Sequence, residues 1–271
     1  MTLQAFPGWR LVAGLAASAA LFGLYARGGL FFPLGFIALV PWLLALEHTR
    51  TVRGALASGV GFSVLFGLAV FAWFGVAVGD YVGIGAPIGL LALVVAAPLL
   101  QVQIVVFALV RHVVGRHHGP VARALAGAAA WVATEWLWPK LLGDSLGHGV
   151  HPSAWLRQVA DIAGVAGITF LLLLVNEALA LAVTRRGTHR GAWLRPLGTA
   201  VTIVAVMLAY GASRNAAFNA PTPGATPVRI GLVQANITHY ERLREEIGAY
   251  ETVRLVLDTH YAMTREAVQQ R

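Results

Sequence analysis

The 271 residues contain no cysteine, and Lys140 is the single lysine among twenty basic residues. Without thiols, these residues can form no disulfide, thiolate metal site, lipidated cysteine or cysteine nucleophile. Charge is scarce too. Only 12% of residues are Asp, Glu, Lys or Arg, whereas 58% are hydrophobic, against roughly a quarter charged in a soluble domain. A soluble globule cannot hide that much apolar surface, so the composition requires a polytopic membrane protein. The net charge of +8 does not point to nucleic acid, because the arginines occupy short gaps between apolar runs, as cytoplasmic loops do. The apolar start does not read as a cleavable leader, since a second apolar run follows Arg27 with no convincing small-residue cleavage site.

A hydrocarbon core of about 30 Å takes about 20 apolar residues per helix. Seven spans are predicted: Leu11–Ala26, Gly28–Leu46, Gly54–Gly79, Tyr81–Val110, Ala122–Trp138, Ile162–Thr184 and Pro196–Ser213. With the N-terminus inside, ten basic residues face the cytoplasm: Arg10, Arg50, Arg53, Arg111, Arg116, Arg123, Arg185, Arg186, Arg190 and Arg195. Four lie outside: Arg27, Lys140, Arg157 and Arg214. That asymmetry sets the N-terminus in the cytoplasm and everything after Ser213 outside it.

Residues 1–214 thus read as an all-α transmembrane domain, and 215–227 as a Pro/Ala/Thr linker. Within 228–271, Val228–Gln234 (VRIGLVQ) predicts a buried strand. From about Glu245 a helical period sets Tyr250, Val253, Leu257, Tyr261 and Val268 on one face. One strand and one helix cannot enclose a core, so this segment is expected to be the opening β–α unit of a larger domain, cut short at Arg271.

Polar residues inside spans cost free energy unless paired or turned toward a cavity. Glu135, in WVATEWLW (131–138), is the foremost candidate for touching a lipid headgroup or a substrate amine, with hydration near the interface or pairing to a neighbouring helix as the structural alternatives. Gln101, Gln103, Asn176 and Glu177 are expected to supply hydrogen bonds between helices. Trp136, Trp138 and Trp155 flank the outer loop 140–161 as an interfacial aromatic belt would. Asp144, His148 and His151 resemble a metal cluster on paper, but Gly147 and Gly149 deny them a helix and no fourth ligand is evident. No metal or other cofactor is expected. RHVVGRHHG (111–119) reads as a cytoplasmic loop facing anionic lipid. Asn236-Ile-Thr238 matches a glycosylation sequon, a weak signal that needs a eukaryotic lumen.

Several stretches carry a resemblance. VRIGLVQANI (228–237), following a multi-span bundle and an outward linker, resembles the start of the nitrilase-like domain of bacterial apolipoprotein N-acyltransferases. Trp131–Trp136, Gln158–Phe170 with Leu174-Val-Asn176, Trp9-Arg-Leu11 and Ala38–Leu44 are similar to that family's membrane spans. The resemblance implies an inner-membrane enzyme that moves an acyl chain from a phospholipid to the α-amino group of a lipoprotein's N-terminal diacylglyceryl-cysteine. It implies a Glu–Lys–Cys triad acting through a thioester, with all three residues expected beyond Arg271 and hence no catalytic residue in this chain. Phospholipid and lipoprotein are the implied partners. Three departures mark a divergent branch. The family's tryptophan near Leu243 is missing, its Arg-Gly reads Leu137-Trp138-Pro139, and the outer loop lacks Phe-Pro-Trp. In related systems a similar membrane region anchors a polyprenol-phosphate glycosyltransferase, so the alternative is a non-enzymatic module that binds lipid or scaffolds a separate catalytic partner. A transporter is disfavoured by the lack of internal repeats.

Overall fold

The computed structural model describes residues 8–187, 191–220, 224, 226, 228, 230–237 and 239–269. The chain forms two units, one up to Ala220 and one from Pro221.

The first unit is a helical bundle. Its helices are α1 (Gly8–Tyr25), α2 (Val40–Leu46), α3 (Val52–Tyr81), α4 (Ala86–Leu100), α5 (Val102–His117), α6 (Pro120–Leu137), α7 (Ala160–Arg185) and α8 (Leu194–Phe218). Tighter 3-10 turns occupy Gly29–Phe36, Leu146–Val150 and Leu156–Val159. Among the described residues, five segments are long and apolar enough to cross a membrane, or six when α4 and α5 are taken as one pass bent by 45°. The seventh expected span is α6. It has 18 residues but carries Arg123 and Glu135, and it does not reach the apolarity of the others.

Three expected spans are broken rather than continuous; that of α7 is interrupted near its start, where Ala163 (φ −145°) and Gly164 (φ 62°) leave the helical region. The second consists of the 3-10 run Gly29–Phe36 and then α2, because Pro33 and the non-helical Ile37 (φ −129°) interrupt it. Hydrocarbon offers freed backbone groups no partner, so the protein must supply one. Asn176 on α7 does so. Its Nδ2 donates to the Gly35 carbonyl (2.9 Å) and its Oδ1 accepts from Leu39 N–H (2.9 Å). Likewise Ser18 Oγ on α1 accepts from Trp42 N–H (2.9 Å) at the start of α2. The fourth span breaks at Gln101 (φ −119°, ψ 42°), three residues after Pro98, which lacks a helical donor. The second half of this pass then runs on to His117, so the expected loop from Arg111 is helix, and Arg111 is buried.

Large aromatic side chains fill the centre. Trp42 stacks on Phe62 with ring centroids 4.3 Å apart, and Phe107 meets Trp131 edge-on at 5.6 Å. The indole N–H of Trp42 donates to Ser58 Oγ (2.9 Å), which spares a buried donor. Helices α3 and α4 pack backbone against backbone, because a Cβ on Gly89 would stand 2.1 Å from the Gly75 carbonyl oxygen.

In the second unit, α9 (Tyr240–Ile247) and α10 (Ala249–Gln269) meet at Gly248, whose φ of 86° suits glycine. The β–α opening is not seen. The described residues from 228 to 237 form neither strand nor helix, and Val228, Ile230 and Leu232 are exposed. A strand exists only by pairing, and no second strand is present among the described residues. The apolar side chains of α10 expected on one face, including Tyr250, Leu257 and Tyr261, are exposed as well.

Replacing Asn176 by Leu would strand the Gly35 carbonyl and the Leu39 N–H. Each buried group left unpaired costs about 1–3 kcal/mol, so the thermal midpoint in detergent should fall clearly. An unchanged midpoint would show that the break at Gly35–Leu39 is satisfied without Asn176.

Candidate functional site

Helix α6 carries a charged residue near each end, Arg123 and Glu135, roughly 18 Å apart at 1.5 Å per residue. Each anchors a polar cluster.

Around Glu135, three donors converge on one carboxylate. Trp131 Nε1 (3.0 Å) and Lys140 Nζ (3.1 Å) reach Oε1, and Ser145 Oγ (2.8 Å) reaches Oε2. Lys140 also bonds the Asp144 carbonyl, tying the chain after α6 back onto it. Ser145 Oγ lies 2.7 Å from Thr169 Oγ1 on α7, which accepts in turn from Gly147 N–H (2.9 Å). One carboxylate thus joins α6, the outer loop and α7.

The loop is more ordered than its glycines suggested. Leu146–Val150 forms a 3-10 turn in which Ser145 Oγ accepts from the His148 N–H and His148 Nδ1 accepts from Ser145 N–H (3.1 Å). His148 is therefore engaged in capping. Tyr25 OH on α1 donates to the Leu146 carbonyl (2.6 Å), and a Cβ on Gly149 would stand 2.1 Å from the Tyr25 ring. Glycine at 149 is what lets the loop lie against this buried tyrosine.

These residues wall a cavity of about 310 Å³. Its polar lining includes Gln101, Gln103, Glu135, Asp144, Ser145 and His148; Phe66, Phe71 and Trp131 supply apolar wall. Gln103 Nε2 donates to Gln101 Oε1 (2.7 Å). The two amides therefore satisfy each other at the break in the fourth pass instead of linking separate spans. Among the described residues no three His, Cys, Asp or Glu side chains converge on a metal position.

The sequence-derived lipid contacts separate into two kinds. Glu135 is enclosed, 7% exposed at its side chain, and its oxygens are already bonded, so it shapes the cavity rather than presenting a free carboxylate. Trp136, Trp138 and Trp155 are exposed on the outside of the unit, with Trp138 Nε1 donating to the Leu99 carbonyl (2.8 Å). The structure does not bring the tryptophans and Glu135 into one site. Ser145, Thr169 and Tyr25 do not stand out as a group in the sequence. Their only signal was a polar atom at or within an apolar run.

At the other end of α6, Arg111 is buried between two carboxylates. Its Nε donates to Glu177 Oε1 (2.5 Å) and its Nη2 to Glu47 Oε1 (2.7 Å). Arg123 completes the network through Nη1 to Glu47 Oε2 (2.9 Å). Burial works against the Glu47 carboxylate, but the two guanidiniums outweigh it and hold its carboxyl below the usual range. The network pins α2, α5, α6 and α7 together and is structural.

The family model "Apolipoprotein N-acyltransferase N-terminal domain" matches residues 18–178, a stretch that runs from α1 into α7 and includes both polar clusters. Curated relatives named apolipoprotein N-acyltransferase include one from Chlorobaculum tepidum, 28% identical over 88% of this chain and 42% of its own length. Another, from Methylococcus capsulatus, is 29% identical over 87% of this chain and 46% of its own length. One from Geobacter metallireducens is 30% identical over 76% and 39%. The chain spans less than half the length of these relatives.

Removing one partner of a buried ion pair costs about 3–5 kcal/mol, whereas apolar replacement of both is far milder. Arg111→Leu should therefore destabilise the bundle strongly in chemical denaturation, and replacing the whole network by leucine (Arg111, Arg123, Glu47 and Glu177), which strands no charge, should recover much of the loss. A fourfold variant no better than the single one would contradict the assignment of the network as structural.

Proposed function

The chain belongs to the apolipoprotein N-acyltransferase family, and on that premise we propose that it is the membrane part of an enzyme acylating the N-terminal amine of lipoproteins from a phospholipid donor. The observation that carries this reading is the family match over residues 18–178, coinciding with the bundle that holds the Glu135 cavity. The reading places the chain in the bacterial cytoplasmic membrane with its N-terminus inside, as the ten-to-four distribution of basic residues supports. Residues 1–214 are then the membrane domain, and 215–227 a linker on the outer side. Residues 228–271 open the nitrilase-like domain.

In this reading the cavity beside Glu135 faces the outer leaflet, where both a phospholipid and a membrane-anchored lipoprotein are at hand. Trp136, Trp138 and Trp155 sit at headgroup level and meet phospholipid, while Glu135 and Lys140 hold the loop 144–150 that forms the cavity rim. Acyl transfer through a thioester requires a thiolate assisted by a base, with an oxyanion stabiliser beside it. These residues hold no cysteine, and Ser145 is a poor substitute, because the carboxylate beside it is already bonded to Lys140 and Trp131. The nucleophile is therefore assigned to a segment outside the 271 residues.

Two measurements check this. Reporter fusions at Arg53 and Arg116 should read cytoplasmic and a fusion at Thr226 extracytoplasmic; a cytoplasmic signal at Thr226 would sink the topology. Intact-mass analysis of the 271-residue chain after incubation with phospholipid should show no acyl adduct, and a diacylglyceryl peptide should remain unacylated. An adduct on this chain would point to a nucleophile within it and overturn the assignment.

A further inference from the structure

A second cavity lies away from the Glu135 cluster. Helices α6 and α8 both pack on α7, and a groove of about 440 Å³ lies between them. Its wall is apolar, with Ala124 and Leu125 from α6, Leu174, Ala178 and Leu181 from α7, and Ile203 from α8. The charged lining is Arg123, Arg185, Arg195 and Glu177. Arg185 closes α7 and Arg195 stands at the start of α8, so these two mark the same end of the groove. Arg123 is held by Glu47, and both oxygens of Glu177 are taken by Arg111 at 2.5 and 3.2 Å. The lining thus carries three arginines against one glutamate, and that glutamate is no open carboxylate to repel an anion.

The groove also has a length. At 1.5 Å rise per residue, Arg185 to Leu174 spans roughly 16 Å and Arg195 to Ile203 roughly 12 Å. One leaflet contributes about 15 Å of a ~30 Å hydrocarbon core. A basic mouth over an apolar slot one leaflet deep matches an acyl chain carrying a phosphate.

We propose that this groove binds one anionic phospholipid of the phosphatidylglycerol class, with its phosphate at Arg195 and Arg185 and one acyl chain lying along Leu181, Ala178, Leu174 and Ile203. A free phosphate would leave the apolar wall uncovered, and a zwitterionic headgroup would bring its own cation to the arginines. The site is separate from the Glu135 cavity and stands whether or not the proposed acyl transfer holds.

The test uses the full chain, delipidated in mild detergent and titrated with phosphatidylglycerol, with phosphatidylcholine or with inorganic phosphate, followed by native mass spectrometry. Phosphatidylglycerol should be retained in preference to phosphatidylcholine, and inorganic phosphate should not displace it. Arg195→Gln should weaken phosphatidylglycerol binding about fivefold, the attraction of one basic residue near an anionic headgroup, while Arg195→Lys should keep most of it. Ala178→Trp, which fills the slot without altering charge, should also weaken it. Arg195 is exposed, so its variants test binding without disturbing the core, and thermal midpoints confirm folding of all three. Equal retention of the two lipids, or binding indifferent to both Arg195→Gln and Ala178→Trp, would overturn the proposal. Full displacement by inorganic phosphate would do so too, by showing an anion site without an acyl slot.

Discussion

The bundle depends on a requirement that water would relax and hydrocarbon does not, namely that each backbone polar group find a partner inside the protein. An unbroken helix meets it by itself. This chain interrupts three of its passes, and the break in the second is matched by side chains. Asn176 serves a carbonyl and an amide of the second pass from a helix far along the chain, and Ser18 serves the Trp42 amide from α1. The carboxamide suits this work because it donates and accepts at once. Its position fixes α7 against the first hairpin, and α7 in turn carries Thr169 to the cavity and Glu177 to the ion-pair network.

The two polar clusters use charge in different ways. Arg111 lies between two carboxylates with Arg123 beside them, so positive and negative groups balance in pairs and four elements are joined at little net charge. The Glu135 cluster is smaller and looser. One carboxylate gathers an indole, an ammonium and a hydroxyl, and through the last of these holds a loop against α7. Buried ion pairs do not add much stability against apolar packing of the same shape, but a wrong arrangement leaves charges stranded. Both clusters therefore select one packing of helices over others, and the cavity at Glu135 inherits its shape from that selection.

Much of this was legible in the residues. Apolar runs located nearly every helix, and a lone Asn or Glu inside a run announced a partner without naming it. What the runs did not disclose was where helices break. Tyr81–Val110 carries no charge, and only Pro98 hints that the pass bends at Gln101. Arg111 looked like loop because arginine is expensive in a span, yet Glu47 and Glu177, 64 and 66 residues away, meet it in space. Periodicity reports faces of single helices, not which faces meet. The strand expected at Val228–Gln234 is not seen among the described residues, for the opposite reason. Its residue types suit a sheet, but strand structure resides in pairing, and pairing needs another strand.

Lys140 is the single lysine of the chain, and it sits 11% exposed between Glu135 and Asp144. It is the only side-chain primary amine in these 271 residues, since arginine supplies every other basic side chain but histidine. An amine-selective reagent thus has one side-chain target in 271 residues, bonded to Glu135 and Asp144 of the cavity lining. Its rate of modification is a built-in clock for how often the Glu135 cluster opens, readable without introducing any label.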